Sequence, residues 1–164
     1  MPPSILEAPD LVVRLRAGEA AIIPTDTLPG LAVMPDQAQT LWRLKRRPAD
    51  KPLILMGATV DDLLQEVDVS CHREVEVLAE HYWPGALTLV LPARDGGAGR
   101  YLNPGGTTLG CRIPACEQTR ALLQISGPLA TTSANRSGEP ASLTAAEAAL
   151  VFPDVAQLGP QPWR

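Results

Sequence analysis

At 164 residues the chain has the length of one ordinary domain, enough to bury a sizeable core without disulfide or metal staples. Its 45% hydrophobic and 20% charged residues give the balance of a soluble globular protein. The formal net charge of −4 gives no whole-molecule field to draw nucleic acid, and no apolar stretch is long enough to span a membrane.

Aromatic residues are scarce at 4%, so the core must rest on Leu, Val, Ile and Ala, and the 17 prolines predict short elements with stiff connections. The N-terminal stretch MPPSILEAPD has neither the basic nor the apolar region of a secretory leader. Residues 9–17 carry apolar side chains at helical spacing, with Gly18 placed to stop the helix. Ala20–Pro24 is a short apolar run of strand type. The turn Thr25-Asp26-Thr27 leads through Leu28-Pro29-Gly30 to a second strand, Leu31–Met34. A helix over 37–46 ends in basic residues, which suits the negative end of its dipole. Pro52–Met56 is a buried-type strand, and Thr59 caps a helix reaching about Val67. A helix over 72–82 is broken by Trp83-Pro84-Gly85. Leu87–Leu91 is a strand and Asp95–Gly99 a glycine-rich loop. Thr107–Ile113 is a strand, 116–125 a helix and Pro128–Thr132 a strand. Thr144 and Glu147 form a capping box for a last helix, and Val155–Leu158 is expected as a final edge strand. The irregular alternation, with two strands meeting at the Thr25–Gly30 turn, predicts a single-domain α/β fold with a twisted mixed sheet flanked by helices.

Three cysteines, Cys71, Cys111 and Cys116, are an odd number without paired metal-ligand spacing, and the two histidines lie elsewhere. No metal site is expected, and reduced structural thiols in a cytoplasmic protein are. There is no Ser-His-Asp set and no paired-carboxylate site, so no catalytic nucleophile is assigned.

Four segments place polar residues directly after apolar strands, where ligands bind in α/β sheets. Thr25-Asp26-Thr27 is either a turn that satisfies its own backbone or a ligand site. Lys45-Arg46-Arg47-Pro48 pairs a point charge with planar forks, a combination suited to polyphosphate, although neither a P-loop nor a dinucleotide fingerprint is present. The wider basic segment 43–51 is either a solvated helix end or a local patch for RNA. Arg112 stands in an otherwise apolar strand and either faces solvent at a sheet edge or meets an anion. Thr131 to Gly138 (TTSANRSG) offers hydroxyls and backbone amides to an anion, or forms an ordinary Ser/Asn turn. Together these segments handle anions and position substrates, which is enough to drive transfer at phosphorus.

In this order the segments resemble the YrdC-like family of threonylcarbamoyl-AMP synthases. The matching pieces are Pro24-Thr25-Asp26-Thr27-Leu28-Pro29-Gly30-Leu31; Lys45-Arg46-Arg47-Pro48 with Lys51-Pro52-Leu53; Trp83-Pro84-Gly85-Ala86-Leu87-Thr88; Arg112-Ile113-Pro114; and Ser133-Ala134-Asn135-Arg136-Ser137-Gly138-Glu139-Pro140. The match covers about residues 18–150. Two positions depart from the family pattern: Pro29 stands where an aromatic residue is usual, and Ala49 where a serine often follows the basic segment. The resemblance implies a large concave cavity. It also implies synthesis of threonylcarbamoyl-AMP and pyrophosphate from L-threonine, bicarbonate and ATP with Mg²⁺. A separate transferase would pass the group to a tRNA adenosine next to the anticodon. By position, Thr25, Arg112 and Thr131 would hold threonine, and Lys45, Arg47, Thr108, Ser133, Asn135 and Ser137 would hold ATP. Two rival readings of the chain are a YrdC-like paralogue acting as an RNA-binding module without synthase activity, and a carbamoyl-transfer domain of the kind found in hydrogenase-maturation enzymes, which sits in much longer chains.

Overall fold

The computed structural model describes residues 3–48 and 51–163, so the Ala49 departure lies outside the described residues. The described residues form eight strands: β1 (Ile5–Leu6), β2 (Ala21–Ile23), β3 (Gly30–Val33), β4 (Ile54–Met56), β5 (Leu89–Pro92), β6 (Thr108–Arg112), β7 (Leu129–Ser133) and β8 (Ala156–Leu158). Between them run helices α1 (Ala8–Arg16), α2 (Ala38–Lys45), α3 (Val60–Leu64), α4 (His72–Tyr82), α5 (Gly99–Leu102), α6 (Glu117–Ser126) and α7 (Ala145–Val151). The caps follow the expected chemistry. Thr59 accepts a hydrogen bond from the Asp62 amide and Thr144 one from the Glu147 amide. The reciprocal bond of the Thr144 box is displaced by one residue, because the Glu147 carboxylate accepts from the Leu143 amide at 2.6 Å.

The sheet order is β1-β8-β2-β3-β7-β4-β6-β5. The β1/β8, β8/β2 and β4/β6 pairs are parallel and the rest antiparallel, so the sheet is mixed as expected. The expectation for Val155–Leu158 needs correction. It lies inside the sheet, because the two residues of β1, unseen in the sequence, pair outside it. The glycine-rich segment also differs: its last residue opens the single turn of α5, whose Ala98 amide is held by the Glu66 carboxylate at 2.6 Å. The edge strand β5 ends on Pro92, tolerable there because an edge position has no partner needing its N–H.

Side chains alternate between faces along each strand, and directly paired residues share a face. Ile22, Leu31, Val33, Ala130, Leu55, Leu109 and Cys111 form one face. They pack with Leu41 and Trp42 of α2, Leu63 of α3, Val75 of α4, Leu102 of α5 and Ala148 of α7. On the opposite face Ala21, Ile23, Ala32, Leu129 and Met56 pack against Leu11 and Leu15 of α1 and Leu122 and Leu123 of α6. The register carries this second face onward from Ala32 to Thr131, Ile54, Gly110 and Val90. No helix of the second core covers that continuation, and Val90 is 68% exposed. A Cβ at Gly110 would meet the Ile54 side chain at 2.7 Å, so glycine keeps this uncovered surface flat.

Candidate ligand-binding site

Arg112 ends β6 on the uncovered face, paired in register with Met56. Its Nε donates to the Gly85 carbonyl at 3.0 Å, one terminal nitrogen donates to the Thr27 hydroxyl at 3.3 Å, and the other is ion-paired with Asp26. The turn Trp83-Pro84-Gly85 clamps this strand end, since the Gly85 amide also donates to the Ile113 carbonyl at 2.9 Å. Glycine is required there: a Cβ would sit 2.5 Å from the Tyr82 carbonyl oxygen. Of the two alternatives left open for Arg112, an anion partner is the one found, and the anion belongs to the chain itself.

Of the two readings of Thr25-Asp26-Thr27, the self-satisfied turn is present. The Thr25 hydroxyl donates to the Leu28 carbonyl at 2.6 Å and accepts the Thr27 amide at 3.1 Å, closing a local turn. Asp26 is spared for Arg112. Pro29 is buried, and its carbonyl accepts the Ala134 amide at 3.0 Å, which ties this turn to the Ser133–Gly138 loop.

That loop is fastened to the end of α2. Lys45 is 1% exposed and its Nζ donates to the Ser133 carbonyl at 2.8 Å, the Asn135 Oδ1 at 3.0 Å and the Ser133 hydroxyl at 3.3 Å. The Ser137 amide donates to the Lys45 carbonyl at 2.7 Å, and Arg136 donates to the Leu44 carbonyl at 2.7 Å. Burial, and secondarily the neighbouring Arg47 charge, pulls the Lys45 ammonium down from 10.5 to about 8. Arg47 is half-buried and reaches the Lys51 and Pro52 carbonyls at 3.4 and 3.1 Å; burial lowers its guanidinium from the ordinary value.

Thr131 is 3% exposed and donates its hydroxyl to the Ile54 carbonyl at 3.0 Å, so only its lone pairs are free for a ligand. Thr108 is exposed, its hydroxyl accepting from Asn103 at 3.2 Å. Thr131, Ile54 and Gly110 stand in one row of the sheet. Arg112 lies two residues to one side of that row, and Ser133 and Thr108 two residues to the other. Four residues of strand separate Arg112 from the Thr108 end, about 13 Å at 3.3 Å per residue. Ser133 and Thr108, with Asn135 and the Lys45 that holds the Ser133 loop, thus lie to one side of the row and Arg112 with Asp26 and Thr27 to the other, with Thr131 in the row itself.

Sequence reasoning missed three participants: Asp26 as the partner of Arg112, Gly85 as its anchor, and Thr88, which lines the same hollow. Asp26 was legible only as a carboxylate between two hydroxyls. Nothing local in the sequence indicates a partner 86 residues away. Three adjoining hollows of about 420, 380 and 160 Å³ share Thr25 as a lining residue. Cys111 lies on the covered face, where burial pushes its thiol up to about 12, leaving it an inert core residue. Among the described residues no three His, Cys, Asp or Glu side chains cluster to hold a metal, and no helix is long and apolar enough to cross a membrane.

A family model covering Sua5, YciO and YrdC proteins, described as telomere recombination, matches residues 13–158. A threonylcarbamoyl-AMP synthase from Idiomarina loihiensis is 39% identical over 80% of this chain and 73% of its own length. One from Pyrococcus abyssi is 36% identical over 84% of this chain, which spans only 41% of that protein. The crystal structure of P. abyssi Sua5 complexed with L-threonine superposes with a TM-score of 0.86 at 29% identity, covering 100% of this chain and 51% of that one.

Proposed function

Because this chain belongs to the Sua5/YciO/YrdC family, we propose that it joins L-threonine, bicarbonate and ATP into threonylcarbamoyl-AMP, releasing pyrophosphate and water. The observation that carries this reading is the division of the uncovered sheet face. The Arg112 guanidinium fork sits at one end, and Thr108 stands about 13 Å along β6 at the other, the end where Lys45 from α2 holds the Ser133–Asn135 loop. A reaction that brings an amino acid to a nucleoside triphosphate needs two anion subsites, one for the carboxylate and one for the phosphates.

In this scheme Arg112 takes the threonine carboxylate through charge-assisted bonds, and the Thr131 and Thr25 hydroxyls meet the substrate hydroxyl and amino group. Arg47, Thr108, Ser133, Asn135 and Ser137 meet ATP. Lys45 holds the Ser133–Asn135 loop in place and supplies positive charge beneath it. The threonine amino nitrogen is carboxylated to a carbamate. A carbamate oxygen then bonds to the α-phosphorus as the bond to pyrophosphate breaks. No side chain need act as nucleophile, since positioning and charge stabilisation drive such transfers. We assign Mg²⁺ to the triphosphate that enters with it. Mg²⁺ keeps most of its waters and takes few protein ligands, and the described residues offer no cluster of its own.

A cytoplasmic setting and a separate transferase acting on tRNA complete the proposal. The RNA-binding alternative is not favoured: the net charge is −4, and relatives at 36% and 39% identity are threonylcarbamoyl-AMP synthases. Incubating the protein with ATP, bicarbonate and labelled threonine tests the reading. Threonine-dependent pyrophosphate together with labelled adenylate is expected, and pyrophosphate release that ignores threonine would refute it.

A further inference from the structure

We propose that Asp26 is a displaceable internal carboxylate, which competes with the substrate's carboxylate for Arg112 and makes binding an exchange of one anion for another. The inference rests on the assignment of Arg112 to the substrate carboxylate. Arg112 is held at its base, by β6 and by the bond from Nε to the Gly85 carbonyl, so its two terminal nitrogens form the recognition edge. Both are taken by one turn, Asp26 on one and the Thr27 hydroxyl on the other. An incoming carboxylate has no free bidentate edge unless Asp26 moves.

Asp26 is well placed to move. Its carboxylate has no second hydrogen-bond partner among the described residues. The turn that carries it is held by other atoms, the Thr25 hydroxyl on the Leu28 carbonyl and the Pro29 carbonyl on the Ala134 amide. Releasing Asp26 therefore leaves the turn intact, while Arg112 keeps its anchor on Gly85.

The pair also divides the space around it. Arg112 lines the hollow of about 160 Å³, Asp26 lines the neighbouring one of about 380 Å³, and Thr25 lines both. The smaller hollow is below the range of about 300–1,000 Å³ usual for small-molecule sites. Separating Asp26 from Arg112 opens the wall between the two. A ligand with a carboxylate drives that separation by replacing Asp26 on the fork. A ligand without one leaves the pair closed and gains nothing from Arg112, so the exchange acts as a selectivity device.

Calorimetric titration of L-threonine and of L-threoninol, which lacks the carboxylate, into wild type, Asp26→Asn, Asp26→Ser and Arg112→Ala tests this. With the competitor neutralised, either Asp26 variant should bind threonine about two- to tenfold more tightly, the scale of a part-exposed ion pair, and threoninol no more tightly. Two Asp26 variants are used so that a folding defect in one leaves the other to decide. If Arg112→Ala weakens threonine while neither Asp26 variant tightens it, the exchange is wrong and the carboxylate assignment stands. Tightening shared by threoninol also overturns the exchange. Threonine binding unchanged in Arg112→Ala removes the assignment and the inference with it.

Discussion

Lys45 and Arg112 are both cations beside one sheet, yet they are held in opposite ways. Arg112 meets a full negative charge, whereas Lys45 meets only carbonyl, hydroxyl and amide oxygens in a nearly dry pocket. Desolvation without a counter-charge explains why Lys45 titrates near 8. In the unfolded chain it titrates near 10.5, so burying the ammonium opposes folding below about pH 8, and that cost is lost as pH rises towards 10.5. Stability should therefore rise over this window relative to Lys45→Met, while ATP affinity falls above about pH 8 as the charge beneath the loop is lost. Denaturant unfolding and nucleotide titration at matched pH values check the opposite signs. The arginines separate by ligand. Arg47→Ala should weaken ATP by about 1.5–3 kcal/mol and threonine less, and Arg112→Ala the reverse, with lysine rescuing either only in part. Equal losses of both ligands in both variants would refute the two-ended division of the face.

At the scale of elements, the most informative piece is the end of α2. Arg46 closes this helix in the left-handed region at φ 54°, with the Arg47 amide bonding back to the Trp42 carbonyl at 3.0 Å. This is the position where glycine is usual, and a side chain there costs about 1 kcal/mol or more. The tight reversal turns the chain so that Lys45 points under the Ser133 loop while Arg47 reaches back to the Lys51 and Pro52 carbonyls. Arg46 is exposed and its side chain is not needed for that geometry. Arg46→Gly should thus raise stability by about 0.5–1 kcal/mol, read as a higher urea midpoint at unchanged slope. A lower midpoint would mean that the arginine side chain holds the reversal. The turn at Trp83-Pro84-Gly85 plays a matching part at the other end of the site: its glycine gives Arg112 an anchor that no side chain supplies.

Across the whole molecule, support and site are divided between regions of one sheet face. Leu122 is fully buried in the core that α1 and α6 form over one part of it, and the ligand candidates occupy the rest. Leu122→Ala should cost about 2–5 kcal/mol of stability by leaving a cavity, yet leave threonine and ATP affinities of the folded protein within about twofold. Calorimetric titration below the melting range distinguishes this from a core that also shapes the site. The sequence by itself determined the positions and types of nearly all the elements and the caps at Thr59 and Thr144, together with the polar segments at the strand ends. Periodicity, capping and strand-end polarity are local, readable within a few residues. Tertiary structure alone decided that Val155–Leu158 runs inside the sheet, since that depends on pairing with Ile5 and Leu6 about 150 residues away. It also decided that Arg112 closes on Asp26 and that Lys45 is buried rather than presented to solvent. Such pairings draw their free energy from contacts between distant segments, for which neither segment carries a local pattern.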